Sequence, residues 1–169
     1  MRRFRNWAIA ALVLLLALQL VPYGHGRSNP PVSQEPPWDS PRTRELVARA
    51  CFDCHSNETR WPWYSRVAPV SWLVTHDVEE GRHELNFSQW DRPQDEAENA
   101  VKRVANGDMP LAKYLWLHPE ARLSEGEKQE LMRGLTATID GLWRGPGGTG
   151  GHSGPGRGEH EEAGEEHEH

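Results

Sequence analysis

Cysteine is scarce in this chain, with two residues among 169. That scarcity excludes a structural zinc site, which needs four ligands where a lone C-x-x-C-H supplies three with poor spacing. Strand signals are also missing, so a thioredoxin-like C-x-x-C following a strand in a βαβ unit has no frame to sit in. No internal repeat is present, and no carboxylate pair or nucleophile–base set is spaced for acid–base or nucleophilic catalysis. Basic charge is not in excess either: the formal net charge is −6. The segment Glu159–His169, with six Glu and no Lys or Arg, accounts for all of that acidity. A surface for nucleic acid is therefore not implied.

Long apolar runs are limited to one. Arg2, Arg3 and Arg5 precede the stretch Trp7–Val21, whose single polar residue is Gln19. Basic residues before an apolar core are the pattern of an export segment. Its 15 residues rise roughly 22 Å as a helix, short of the roughly 30 Å of a bilayer's hydrocarbon core. Residues 1–22 are therefore expected to be a signal peptide or a membrane anchor, since helix extension or bilayer thinning can accommodate the shortfall. Gly24-His25-Gly26 is a weak cleavage pattern, which favours an uncleaved anchor with its basic end in the cytoplasm.

Beyond this segment, residues 23–37 are rich in Pro, Gly, Ser and Asn and are expected to be a linker. Residues 38–143 form the expected domain, all-α. Ser40 and Pro41 open a helix whose stripe Leu46, Val47, Ala50, Cys51, Cys54 carries the C-x-x-C-H run at its end. A second helix is expected over Val70–His83, with Leu73, Val74, Asp77 and Val78 at turn spacing. A third follows Pro93, with Ala97, Val101 and Val104 on one face and Gly107 as its stop. A helical turn spans Leu111–Leu117. The last helix opens with a Ser124–Glu127 capping box and carries Leu131, Leu135 and Ile139. Residues 144–169, Gly-rich and then alternating Glu with His, are expected to be disordered. The tail histidines His152, His160, His167 and His169 could bind divalent metal loosely.

Cys51-Phe52-Asp53-Cys54-His55 is the attachment signature of c-type haem. Two thiols add to the porphyrin vinyl groups as thioethers, and the following imidazole ligates iron. Helical spacing puts positions 51 and 54 on one face and swings position 55 under the ring. The expected cofactor is one covalent haem c per chain, with His55 as proximal metal ligand. For the sixth position the candidates are Met109, His118, His76, His83 and Met132. Met109, in N-G-D-M-P after a helix stop, is the first choice, and His118 the second. Trp61, Trp63, Tyr64, Trp72, Phe87 and Trp90 cluster after the motif, so some of them, Trp61 foremost, are expected to wall the porphyrin. Arg82, between Gly81 and this cluster, is the expected partner of a haem propionate, with Arg60 and Arg66 as lesser candidates.

The runs C-F-D-C-H-S-N-E-T-R-W-P-W-Y-S-R-V-A-P-V-S-W-L-V and D-V-E-E-G-R-H-E-L-N-F-S-Q-W, with G-D-M-P and L-H-P-E-A-R-L-S, resemble the bacterial haem-binding domain family of small monohaem cytochrome-c-like proteins. The resemblance covers most of 38–142 and implies a haem protein of the cytoplasmic membrane facing the periplasm, or secreted there if the leader is removed. The resemblance speaks to cofactor and fold more than to purpose; the C-x-x-C-H motif with a methionine opposite is read here as a site for single-electron transfer, with redox proteins of the bacterial envelope as partners. The alternatives are a peroxidase-like enzyme, or a sensor module with an exchangeable sixth ligand.

Overall fold

The structure, a computed structural model, describes residues 1–24 and 26–143, so the Gly/Glu/His tail and its histidines lie outside the described residues. Among the described residues the chain forms seven α-helices and two 3-10 turns, and its only β contact is an isolated bridge between Gln34 and Gln89. The expected all-α fold is the one observed.

Helix α1 (Arg2–Leu18) has no buried residue. No described helix is long and apolar enough to cross a membrane. Helix α2 (Pro41–Ala50) begins where sequence chemistry directs: the Ser40 hydroxyl accepts from the Thr43 N–H at 3.2 Å, with Pro41 at the first position. It does not run through the cysteines. Cys51 adopts φ −124°, ψ −33°, which breaks the helix, and a separate turn, α3 (Phe52–His55), follows. Helix α4 (Val70–Glu84) lies within a residue of expectation. Helix α5 (Ala97–Ala105) stops at Gly107, whose φ of +78° is a left-handed conformation suited to glycine. A turn, α6 (Ala112–Leu115), leads to α7 (Glu125–Trp143). The capping box forms as read: Ser124 N–H donates to Glu127 Oε2 at 2.9 Å, and Glu127 N–H to Ser124 Oγ at 3.3 Å.

The core joins Leu46 and Val47 of α2, Val104 of α5 and Leu131, Leu135 and Ile139 of α7. Trp38, Phe52, Phe87 and Trp90 continue it as a ladder of rings 5.5–6.5 Å apart. Helices α2 and α7 cross closely at Gly134, where a Cβ would meet the Thr43 Cγ2 at 2.7 Å.

Two readings are corrected. The buried face of α4 is Ser71, Thr75, Val78 and Gly81, whereas Leu73 is 48 % exposed. Small residues let α4 approach its neighbour closely, and that outweighs the hydrophobicity of Leu73. Residues 23–37 are not a free spacer but a strap across the domain. Arg27 Nη1 donates to Ser65 O at 2.9 Å, Asn57 Nδ2 to Pro31 O at 2.9 Å and Ser33 N–H to Ser88 O at 2.9 Å. Polar, proline-rich composition suits a strap because its carbonyls stay available as acceptors.

Candidate functional site

The turn α3 closes on itself, with Cys54 N–H and His55 N–H both donating to Cys51 O at 3.1 and 2.9 Å. Buried polar side chains brace it from behind. Ser56 Oγ donates to Phe52 O at 2.7 Å, Thr59 Oγ1 to Asp53 O at 2.9 Å, and Asn86 Nδ2 to Asn57 Oδ1 at 3.0 Å. The Asp53 carboxylate, between the two cysteines, accepts from Arg60 at its N–H (3.0 Å), Nε (3.2 Å) and Nη2 (3.1 Å), and from the Tyr114 hydroxyl at 2.7 Å. Burial first, and then this bond to Asp53, hold the Tyr114 phenol well above its ordinary pKa. These bonds hold the turn in place from behind.

In front of the turn is a cavity of about 490 Å³ walled by Cys51, Cys54, His55, Gly81, Phe87 and Met109, with Leu131 and Leu135 at its back. The cysteines are not joined in a disulfide. Burial, first in each case, pushes both thiols up to about 12; Cys54 raises Cys51 further, and Asp77 and then Asp53 raise Cys54 further. Both side chains are neutral thiols at ordinary pH.

His55 Nδ1 lies 2.8 Å from Gly81 O and 3.0 Å from Leu85 O. Carbonyls only accept, so the ring proton sits on Nδ1 and the Nε2 lone pair is left for a metal. Burial lowers the pKa of this imidazole more than the two carbonyls raise it, which keeps the ring in its ligating neutral form. The approach of Gly81 is a requirement of the site. A Cβ at position 81 would lie 2.6 Å from Cys54 O.

Cys51, Cys54, His55 and Met109 are thus brought to one cavity from α2, α3 and the loop after α5. His118 is elsewhere: its Nε2 pairs with the Tyr64 hydroxyl at 2.6 Å, its Nδ1 with Glu120 at 3.0 Å, and its ring stacks on Tyr114 at 4.2 Å. Met132 is not in the cavity wall, and the His83 side chain is 84 % exposed. His76 stands at the cavity wall.

Two sequence-chosen residues are not brought to the cavity. Trp61 donates from Nε1 to Asn29 Oδ1 at 3.1 Å, outside the wall. Arg82 spends its guanidinium on Ser56 O (2.7 Å), Ser28 O (3.0 Å), Asn29 Oδ1 (3.0 Å) and Thr59 Oγ1 (2.9 Å), stitching the strap to the turn. Asn99 and Arg103 of α5 were missed. They line the cavity beside Ala100 and Val104, and their i, i+4 spacing next to an apolar stripe is the signal that marks them.

The fold and site define a class: a small all-α protein whose helices line a mainly apolar cavity bearing a nitrogen donor, a thioether and a pair of thiols. These donors fit a haem, the imidazole and thioether suiting iron and the apolar wall a porphyrin. The haem-binding domain family model matches residues 13–137, and the chain belongs to that family. No curated relative and no solved structure matches it.

Proposed function

We propose that this haem-binding protein is a monohaem c-type cytochrome of the bacterial envelope, exported through its N-terminal segment and carrying single electrons between envelope redox proteins. In this reading Cys51 and Cys54 would bond the porphyrin as thioethers, and His55 Nε2 and the Met109 thioether would hold its iron. Arg103, at the cavity rim, takes the propionate-pairing role first given to Arg82, because a guanidinium matches a carboxylate bidentately.

The observation that carries the reading is the His55 ring, oriented by the Gly81 and Leu85 carbonyls with its Nε2 unpaired beside both of the chain's cysteines. Bound haem supplies one reversible electron per chain. The residues around it supply rigidity. Carbonyl bonds to Nδ1 fix the ring plane of His55 and raise its basicity, as outer partners of metal-bound histidines do. The Arg60–Asp53–Tyr114 bonds prevent the turn from shifting when charge changes nearby. Leu131, Leu135 and Phe87 exclude water from the cavity's back, which limits solvent reorganisation. Transfer of a single electron requires no proton to move.

Met109→Ala tests the electron-carrier reading. The ferric wild-type protein is expected to show the weak far-red sulfur-to-iron band and not to respond to carbon monoxide or cyanide. The variant loses the band, binds these ligands, and has a lower reduction potential. A wild type that is high-spin and reacts quickly with peroxide would instead support the peroxidase-like alternative.

A further inference from the structure

Besides α1, the described residues leave apolar side chains uncovered around the start of α4, away from the cavity. Trp63 is 78 % exposed, Val67 46 %, Val70 43 %, Leu73 48 % and Leu117 62 %. Val70, Leu73 and Leu117 line one shallow groove between the start of α4 and the end of α6. Exposed apolar residues are ordinary singly, but a contiguous group marks a contact surface.

Its position says what covers it. The apolar helix α1 ends at Gln19, whose side-chain amide pairs with both backbone groups of Ala68: Nε2 donates to Ala68 O at 3.1 Å and Ala68 N–H donates to Oε1 at 3.0 Å. Gly24 then rests against Ser71 and Trp72, and Arg27 bonds Ser65 O. The chain therefore leaves α1 with no slack and is fastened along the exposed face. Between Glu58 and Asp77 there is no carboxylate, and of the two arginines there Arg60 is paired with Asp53 while Arg66 is exposed. Carboxylates return on α4 only at Asp77, Glu79, Glu80 and Glu84.

We infer that the Trp63–Leu73 face and Leu117 seat on the surface of an anionic phospholipid bilayer, continuous with the inserted end of α1. The inference rests on the reading of α1 as a retained anchor. The apolar part of α1, from Trp7 to Leu18, rises about 18 Å, roughly 12 Å less than the hydrocarbon core, so its flank is drawn into the headgroup layer. Gln19 takes Ala68 with it, and Val67, Val70 and Trp63 enter where aromatic and apolar side chains are favoured. Arg66 meets lipid phosphate. The remainder of α4, from Leu73 to Glu84, holds the far end of the cavity about 16 Å beyond the lipid, facing water-soluble partners.

The test uses the full haem-loaded chain in vesicles of mixed zwitterionic and anionic phospholipid. A water-soluble maleimide reports the exposure of a thiol placed by Leu73→Cys or, as a control on α5, by Lys102→Cys, with the modified peptides resolved by mass. Flotation of the protein with vesicles is scored in the same samples. The expected result is flotation, with labelling at position 73 about tenfold slower than at 102. That protection should be independent of protein-to-lipid ratio and relieved by Arg66→Glu. Flotation with equal labelling at both positions would overturn the docking while leaving the anchor intact. Protection that appears only at high protein density would assign the face to a second copy and overturn the lipid assignment. Failure to float would overturn the anchor and the docking with it.

Discussion

Gly81 is the point where the site's geometry can be tested most sharply by one methyl group. An added Cβ would lie 2.6 Å from the Cys54 carbonyl oxygen, 3.0 Å from its carbon and 3.1 Å from the Cys54 Cβ, where ordinary contact begins at 3.4 Å. The closest atoms are backbone and cannot swing aside, so Gly81→Ala forces α4 and α3 apart by about 0.8 Å. The same retreat stretches the 2.8 Å link from His55 Nδ1 to Gly81 O to about 3.6 Å, beyond a hydrogen bond. Overpacking costs about 1–3 kcal/mol and the lost bond about 1 kcal/mol. Alanine's better helix propensity returns about 0.5–1 kcal/mol. The net expectation is a loss of about 1–3 kcal/mol and a Tm lower by roughly 5–15 °C. Gly126→Ala is the control, because nothing lies within 4 Å of its Cβ; it should be neutral or stabilising by up to about 1 kcal/mol. Thermal melts of the haem-loaded variants, followed by circular dichroism, decide the matter. If Gly81→Ala melts with the wild type, the close approach of α4 to the cysteine turn is refuted.

Asp53→Asn keeps the shape but turns two of the acceptor lone pairs into donors facing Arg60, so the bonds to Arg60 and Tyr114 cannot all survive. The Asp53 side chain is only 9 % exposed, and the expected loss is about 1–3 kcal/mol in denaturant unfolding, discounted because Arg60 is largely in water. Asp53→Ala should cost at least as much. Glu127 tests the start of α7. The Ser124 N–H first, then Arg49 and the Ser124 hydroxyl, hold its carboxyl down at about 2, against about 4.3 when unfolded. Its contribution is complete above the unfolded value and is lost as pH falls from about 4.5 through about 2. Acid titrations of the wild type and Glu127→Gln should diverge above that window and converge below it.

How far the sequence could be read follows from which forces each feature obeys. Helix starts were legible because caps are local: Ser40 with Pro41 and Ser124 with Glu127 bond their own neighbours. The stripes of α2, α5 and α7 were legible because Leu46, Val104, Leu131 and Leu135 are both the most apolar and the most buried residues of their helices. Helix α4 was misread for the opposite reason. Its Leu73 and Val70 face outward while Ser71, Thr75 and Gly81 face in, since backbone proximity rather than apolar area decides that contact. Arg82 and Trp61 find Ser28 O and Asn29 Oδ1 of the strap 23–37 as partners, and nothing local in sequence reveals such long-range bonds. That Arg103 lines the cavity follows from where α5 packs, which its own sequence neighbourhood does not reveal.

The measurement that bears most directly on the central claim is the intact mass of the protein, produced in cells with working cytochrome maturation and then extracted with acidified organic solvent. Thioether bonding through Cys51 and Cys54 predicts that the colour stays with the polypeptide, at the mass of the chain plus one haem, and that Cys51→Ser with Cys54→Ser releases it. Colour that passes into the solvent, leaving the wild-type chain at its bare mass, would contradict covalent attachment.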